Sequence, residues 1–123
     1  MSLEIRKLSN LLSVSGQISP VDMVEIKAHG FGSIICNRPD GEEMGQPDFR
    51  DLASAASKSG LQIFYLPISP ESVKDTDLAE FNRIIVNSKK PVLAFCRTGT
   101  RSATLADRSD LIDYCSSNNT KSA

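Results

Sequence analysis

A regular alternation of short apolar runs and amphipathic stretches constrains the fold of this chain more than any other sequence feature. Each apolar run is bounded by turn residues, which is typical of a buried strand. These runs are 32–36, 61–66 and 92–95. Apolar residues at helical spacing occupy the stretches between them, as with Phe49, Leu52 and Ala56. The alternation predicts an α/β fold in which helices flank a mostly parallel central sheet, giving three layers.

The remaining stretches complete this outline. Residues 3–8 and 11–15 alternate loosely and predict a hairpin or two edge strands. A helix is expected to begin at Ser19-Pro20 and to end at His29-Gly30, with an inward face formed by Val21, Val24 and Ala28. We expect one domain over residues 1–108, followed by a polar, partly disordered tail over 109–123.

Residues 96–102 combine a thiol, two arginines, a glycine and three hydroxyl groups directly after the third apolar run. Helical spacing resumes after Ser102, so a strand, a tight loop and a helix start are expected in succession. Backbone N–H groups converge in such a loop, and the helix N-terminus adds partial positive charge. The sequence therefore predicts an anion site in which Cys96 is a thiolate nucleophile.

Two further loops are expected at the same edge of the sheet, because the carboxyl ends of parallel strands meet there. The loop after the first apolar run contributes Arg38 and Asp40 as a rim pair or, for Asp40, as a general acid. The loop after the second run offers Glu71 and Asp75 as further candidates for the general acid or for the rim of the site. Alternatively, these two residues are charges favoured at a helix N-terminus. Cys36 ends the first run and is either a core residue or a redox partner of Cys96.

The composition excludes several classes of function. A net charge of −1 provides no general attraction to nucleic acid. No apolar run approaches the roughly 18 residues needed to span a bilayer, and no signal peptide is expected, so we predict a cytoplasmic protein. Three cysteines and one histidine favour reactive thiol chemistry over a metal site or a disulfide framework, and no cofactor is expected.

The sequence Cys-Arg-Thr-Gly-Thr-Arg-Ser at 96–102 resembles the phosphate-binding loop of the protein tyrosine phosphatase superfamily and the active-site loop of rhodanese sulfurtransferases. Together with residues 14–20 and 37–43, the chain is similar over about residues 3–106 to a small bacterial family. Its members are β-lactamase-hydrolase-like phosphatase-like domains, also described as sulfurtransferases. This resemblance implies a tyrosine phosphatase-like fold of the dual-specificity type.

A role is predicted for each residue of the loop. Arg101 closes the loop, where its guanidinium fork binds oxyanions and favours the thiolate. Arg97 points outward and attracts an anionic substrate, while Gly99 permits the backbone turn. The remaining hydroxyl and N–H groups for anion binding come from Thr98, Thr100 and Ser102. By resemblance to phosphatases, Ser102 is expected to hydrogen-bond the thiolate.

Three departures from the phosphatase pattern determine the predicted reaction. Four residues rather than five separate Cys96 from Arg101, Phe95 replaces the usual preceding histidine, and no carboxylate has an obvious general-acid context. Such an acid contributes roughly 10²–10⁴-fold in rate. Sulfur transfer through a Cys96 persulfide needs no acid, so we predict a sulfurtransferase first and a phosphatase with a Cys96-phosphate intermediate second. A third alternative is a regulatory module that binds an anion, and the expected partner is a small sulfur donor or phosphate ester.

Overall fold

The computed structural model describes residues 3–69 and 71–108, and the predicted tail at 109–123 lies outside them. The strands are β1 (Ile5–Lys7), β2 (Leu12–Ser15), β3 (Ser33–Cys36), β4 (Gln62–Tyr65) and β5 (Val92–Phe95). The helices are α1 (Met23–Ala28), α2 (Phe49–Lys58), α3 (Asp75–Asn87) and α4 (Thr100–Arg108), and a 3-10 turn at Pro20–Asp22 precedes α1.

A single five-stranded sheet has the order β1-β2-β5-β3-β4. The N-terminal hairpin pairs antiparallel, with Ile5 opposite Ser15, and all the other pairs are parallel. The predicted α/β fold with a mostly parallel sheet is therefore confirmed. Strand β5 lies at the centre, because the chain crosses over between distant strands rather than adding each strand beside the previous one.

Helices cover both faces of the sheet, as the three-layer prediction requires. On one face, buried side chains of α1 and α2 such as Met23 and Leu52 pack with Phe95 of β5. On the other face, Phe81 of α3 and Leu105 of α4 pack over the opposite sides of the same strands. Because successive strand residues face opposite sides, β3, β4 and β5 each contribute to both cores, whereas β2 contributes Leu12 and Val14 only on the side of α3 and α4.

The first helix presents a different face from the one predicted. Val21 and Val24 are 83% and 73% exposed, whereas Met23 and Ile26 are buried. The expectation that Val21, Val24 and Ala28 face the core was therefore wrong. The physical reason is that the helix buries a second apolar face at helical spacing, Met23 and Ile26, whose side chains are larger than those of the predicted face.

The parallel strands end together, and this brings three loops to one edge of the sheet. Ser15 and Cys36 are both in register with Phe95, so the segments after β2, β3 and β5 leave the sheet side by side. None of the helices described is long and apolar enough to cross a membrane. The edge at Ser15, Cys36 and Phe95 is where the chemistry-bearing residues of the sequence meet.

Candidate active site

Cys96 directly follows the central strand and remains attached to the sheet. Its backbone N–H donates to the carbonyl of Ser15, with N and O 3.3 Å apart. The residue is buried, with 1% of its surface exposed. The thiol therefore stands on a rigid base at the centre of the sheet, which is the placement that the sequence predicted.

The loop after Cys96 is very short and aims a backbone amide at the thiol. The N–H of Gly99 donates to Cys96 Sγ at 3.1 Å. Gly99 adopts a φ of +93°, a conformation that residues with a side chain rarely adopt. Helix α4 begins at Thr100, earlier than the predicted start after Ser102, and its first turn is closed by Ala103 N–H donating to the Gly99 carbonyl. The positive end of this helix thus adjoins the thiol.

The segment after β2 supports the loop from behind. Gln17 N–H donates to the carbonyl of Arg97 at 3.2 Å. A Cβ atom on Gly16 would lie 3.1 Å from the same carbonyl, and one on Gly99 would lie 3.4 Å from the Ser15 carbonyl group. Close backbone packing between these two segments therefore fixes the path of the thiol loop.

Arg101 binds a carboxylate of the protein itself. Its two terminal nitrogens donate to the two oxygens of Glu42, each at 2.8 Å, and one of them also donates to the carbonyl of Ile68 at 3.0 Å. These hydrogen bonds lower the pKa of Glu42 and raise the pKa of Arg101. The guanidinium fork that was predicted to hold a substrate oxyanion thus holds Glu42 in this structure.

Arg38 is a buried guanidinium that joins its own loop to the segment after β2. It is 3% exposed and donates to Glu42 Oε1 at 2.9 Å, to Glu43 Oε1 at 3.1 Å and to Gln17 Oε1 at 3.0 Å. The predicted Arg38–Asp40 pair is therefore replaced by pairs with Glu42 and Glu43. Arg38 nevertheless lies at the site, as predicted. It holds Glu42 and Glu43 in place beside the thiol loop.

Asp40 faces away from the thiol loop. Its Oδ1 accepts the N–H of Phe49 at 2.8 Å, at the first turn of α2, while its own N–H donates to Tyr65 Oη at 3.0 Å. The carboxylate thus satisfies a helix N-terminal amide, and the prediction of Asp40 as a general acid is corrected.

Ser102 holds the loop to the end of β3 instead of bonding the thiol. Its hydroxyl donates to Asn37 Oδ1 at 2.8 Å, and Asn37 donates from its side chain to the Leu66 carbonyl at 3.0 Å. The backbone N–H of Asn37 also donates to Phe95 O at 2.8 Å. Since a hydroxyl has one hydrogen, the predicted bond from Ser102 to the thiolate was wrong.

A cavity of about 330 Å³ opens above this framework. It is lined by Arg38, Glu42, Glu43, Arg97 and Arg101. Arg97 is largely exposed, as predicted, with its guanidinium 3.9 Å from Glu43. Three arginines against two glutamates leave a net positive charge, which suits an anion. A larger cleft of about 750 Å³ is lined by Thr98 and Gly99 of the thiol loop together with residues of β1 and β2.

The other predicted residues lie around the site or apart from it. Thr98 and Thr100 are exposed, and their hydroxyl oxygens are 3.0 Å apart. Glu71 and Asp75 are exposed and do not line the cavity beside Arg101. Asp75 begins α3 and belongs to its acidic first turn, in keeping with the alternative interpretation as a helix N-terminal charge.

Cys36 is a core thiol on the face of the sheet that carries α1 and α2. Burial raises its pKa to about 12, and its Sγ lies 3.3 Å from the carbonyl of Arg38 as a hydrogen-bond donor. Cys36 and Cys96 are both free thiols. Cys36 is in register with Phe95, so it shares a face with Phe95, while Cys96 comes one residue later. Redox pairing of the two thiols stays a prediction.

The sequence reasoning missed Glu42, Glu43, Asn37 and Gln17 as members of the site. No role at the site was predicted for Glu42 or Glu43. A usable signal was present, because Glu42 lies four residues after Arg38 and opposite charges at short spacing in a Gly-rich loop favour a local ion pair. Among the residues described, no three His, Cys, Asp or Glu side chains are grouped as metal ligands.

Residues 4–111 match the family described as "Beta-lactamase hydrolase-like protein, phosphatase-like domain". The beta-lactamase hydrolase-like protein of Agrobacterium fabrum is 35% identical over 107 residues, which are 87% of this chain and 25% of that protein. The chain thus spans about a quarter of this curated relative.

Two solved structures share the fold. A candidate phosphatase from Neisseria meningitidis has a TM-score of 0.77 and 38% identity, covering 82% of this chain and 72% of that one. TpbA from P. aeruginosa in complex with phosphotyrosine has a TM-score of 0.67 and 13% identity, covering 89% and 64%. The fold is therefore that of the tyrosine phosphatase-like proteins, as the sequence predicted.

Proposed function

Because this chain belongs to the phosphatase-like domain family of beta-lactamase hydrolase-like proteins, we propose that it is a cysteine-dependent phosphatase domain with Cys96 as the nucleophile. The observation that carries the proposal is the 3.1 Å hydrogen bond from Gly99 N–H to Cys96 Sγ at the start of α4. An amide and a helix N-terminus both stabilise a thiolate. The family and its phosphatase-like fold favour phosphate ester hydrolysis over the sulfur transfer that the sequence ranked first.

The proposed reaction has two steps. Cys96 Sγ attacks phosphorus, forming an S–P bond as the bond from phosphorus to the leaving oxygen breaks. Water then attacks the same phosphorus, releasing inorganic phosphate and regenerating the thiolate. In both steps the guanidinium of Arg101 binds the phosphoryl oxygens, and Arg97 attracts the anion into the cavity.

The carboxylates at the site restrict the substrate class. Glu42 accepts hydrogen bonds from Arg38 and Arg101, which keep its pKa low, so it is ionised near neutral pH and donates no proton. A leaving group that departs without protonation is then preferred. We propose aryl phosphates and similarly activated monoesters as the substrates that this site hydrolyses.

The ionised state of Glu42 also favours sulfur transfer as a second candidate function. There, Cys96 Sγ attacks the sulfane sulfur of thiosulfate, a new S–S bond forms and sulfite leaves with the electron pair of the broken bond. The Cys96 persulfide then passes its outer sulfur to an acceptor thiolate. No leaving oxygen needs a proton in either step, so the ionised state of Glu42 is no obstacle.

One experiment compares both candidates. The chain is incubated separately with an aryl phosphate and with thiosulfate plus a thiol acceptor, and product formation and the intact mass of the protein are followed. A phosphatase releases phosphate and gains one phosphoryl group on Cys96, whereas a sulfurtransferase releases sulfite and gains one sulfur atom. Turnover is expected to disappear in Cys96→Ser and to persist in Cys36→Ala. Full turnover in Cys96→Ser would refute the assigned nucleophile.

A further inference from the structure

Glu42 binds Arg101 in the same way that a substrate oxyanion would. Both carboxylate oxygens accept from the two terminal nitrogens of the guanidinium at 2.8 Å. Carboxylate, phosphate and sulfate all offer paired oxygens to this fork. A third bond, from Arg101 to the Ile68 carbonyl at 3.0 Å, fixes the guanidinium from another side. The fork is consequently occupied in the free protein.

Glu42 has a second binding place that does not involve Arg101. Its Oε1 also accepts from Arg38 Nε at 2.9 Å. Arg38 is nearly fully buried and is held independently by Gln17 and Glu43. If the Glu42 side chain rotates away from Arg101, it therefore keeps its ion pair with Arg38, whose buried guanidinium stays in place.

The backbone around Glu42 leaves room for such a movement. Gly41 and Gly45 flank it with φ values of +77° and +84°, and a Cβ atom on either would meet no atom within 4 Å. Residues 40–45 are exposed, and Met44 is fully so. Hydrogen bonds to Phe49 and Tyr65 fix Asp40 at the start of this segment, whereas the Glu42 side chain is held by its ion pairs with Arg38 and Arg101.

We propose that Glu42 competes with the substrate for Arg101, so that a tetrahedral oxyanion binds only by driving Glu42 onto Arg38. The inference deepens the proposed function, on which it rests for placing the substrate anion at Arg101. The change in anion affinity on removing Glu42 has the opposite sign if Glu42 competes with the anion rather than only orienting Arg101. If Glu42 only oriented Arg101, its removal would weaken anion binding, whereas removal of a competitor strengthens binding.

The test measures the dissociation constant of inorganic sulfate, which does not react with the thiol, by titration calorimetry of the whole chain. Glu42→Gln is expected to bind sulfate roughly tenfold more tightly than wild type, a typical size for coupling between two ligands. Glu43→Gln is the matched control. It removes the same charge from the same cavity, but Glu43 pairs with Arg38 and Arg97 and not with Arg101. Its expected change is at most about twofold, in line with an exposed ion pair.

A second variant distinguishes the effect of freeing the Arg101 guanidinium from the effect of removing a negative charge. It also covers the case in which Glu42→Gln does not fold. Glu42→Asp keeps the charge but is one methylene shorter, so it cannot span Arg38 and Arg101 together and should also tighten sulfate binding. Weaker or unchanged binding in the folded Glu42 variants would overturn the inference. Equal tightening in Glu42→Gln and Glu43→Gln would overturn it too, since net charge alone would then explain the effect.

Sulfate binding needs no turnover, so the inference and the proposed function fail separately. Absence of turnover with both donor classes, together with tighter binding in the Glu42 variants, would reject the function and support the competitor. Turnover together with no gain in sulfate affinity in the Glu42 variants would support the proposed function and reject Glu42 as a competitor.

Discussion

The hydroxyl of Ser102 donates a 2.8 Å hydrogen bond to Asn37 Oδ1, joining two fully buried residues that are 65 positions apart in the chain. Through Asn37 the first turn of α4 is tied to the ends of β3, β4 and β5. The position of the thiol loop therefore depends on a hydrogen-bond network that contains no charged residue.

Removal of the Ser102 hydroxyl should destabilise the chain. In Ser102→Ala, Asn37 Oδ1 is left buried without its donor, which costs about 1–3 kcal/mol of unfolding free energy. Urea unfolding followed by circular dichroism measures this loss. Ser54→Ala on the exposed face of α2 is the control and should change stability by less than about 0.5 kcal/mol. Equal stability of the two variants would contradict the role assigned to this hydrogen bond.

A side chain at position 99 should impair both folding and the thiol. Gly99→Ala forces alanine into φ +93° and places its Cβ 3.4 Å from the Ser15 carbonyl group. We expect a stability loss of about 1–2 kcal/mol and a slower reaction of Cys96, because the amide that bonds Sγ shifts. Gly30→Ala is a matched control, since Gly30 also has a positive φ, +94°, but open space around it after α1. It should lose similar stability and keep full turnover; equal loss of turnover in both variants would show that strain alone is responsible.

Cys36 should resist alkylation in the folded protein. Burial raises its pKa to about 12, so roughly 10⁻⁴ of this thiol is ionised near pH 8, and the thiolate is the form that reacts. Peptide mass mapping after iodoacetamide treatment should find Cys36 unmodified in buffer and modified in urea. Equal labelling under both conditions would contradict its buried state. Mild peroxide applied to a separate, unalkylated sample tests the predicted Cys36–Cys96 disulfide, and absence of the linked peptide would end that hypothesis.

The Glu42–Arg101 ion pair should make stability depend on pH in the acid range. Hydrogen bonding to Arg101 lowers the folded-state pKa of Glu42 from 4.5, its ordinary value. Its contribution is therefore complete above the unfolded-state pKa and is lost as the pH falls through the folded-state pKa. The difference in unfolding free energy between wild type and Glu42→Gln, measured by urea unfolding, should shrink from about pH 6 to about pH 3.

Glu80 provides the comparison for this pH dependence. Its pKa is also lowered, by Arg83, but the Glu80–Arg83 pair lies on the exposed face of α3. Water and salt screen such a pair, so Glu80→Gln should show little dependence of stability on pH. A difference for Glu42→Gln that stays constant over the acid range would contradict the ion-pair contribution.

Local patterns were sufficient to predict the fold and the location of the thiol. The strand at 92–95, the reactive cysteine after it and the glycine that turns the loop are all encoded within a dozen consecutive residues. Even there, the inward face of the first helix was predicted wrongly, because Met23 and Ile26 form a competing apolar face at helical spacing and these larger side chains are the ones buried. The polar partners were harder to predict. Glu42 meets Arg101, and Asn37 meets Ser102, only because β5 inserts between β2 and β3. Asp40 was predicted as a general acid, but its carboxylate accepts the N–H of Phe49 in the first turn of α2, nine residues later in the chain.

Insertion of β5 between β2 and β3 also has an evolutionary consequence. The nucleophile and its supporting amide come from one segment, and the carboxylate that meets Arg101 comes from another, 59 positions earlier. Mutation can alter the earlier segment, which carries few packing constraints, without rebuilding the later one. A lineage can thus explore new substrate preferences on an unchanged reactive group, and libraries restricted to residues 40–45 offer the same route in the laboratory.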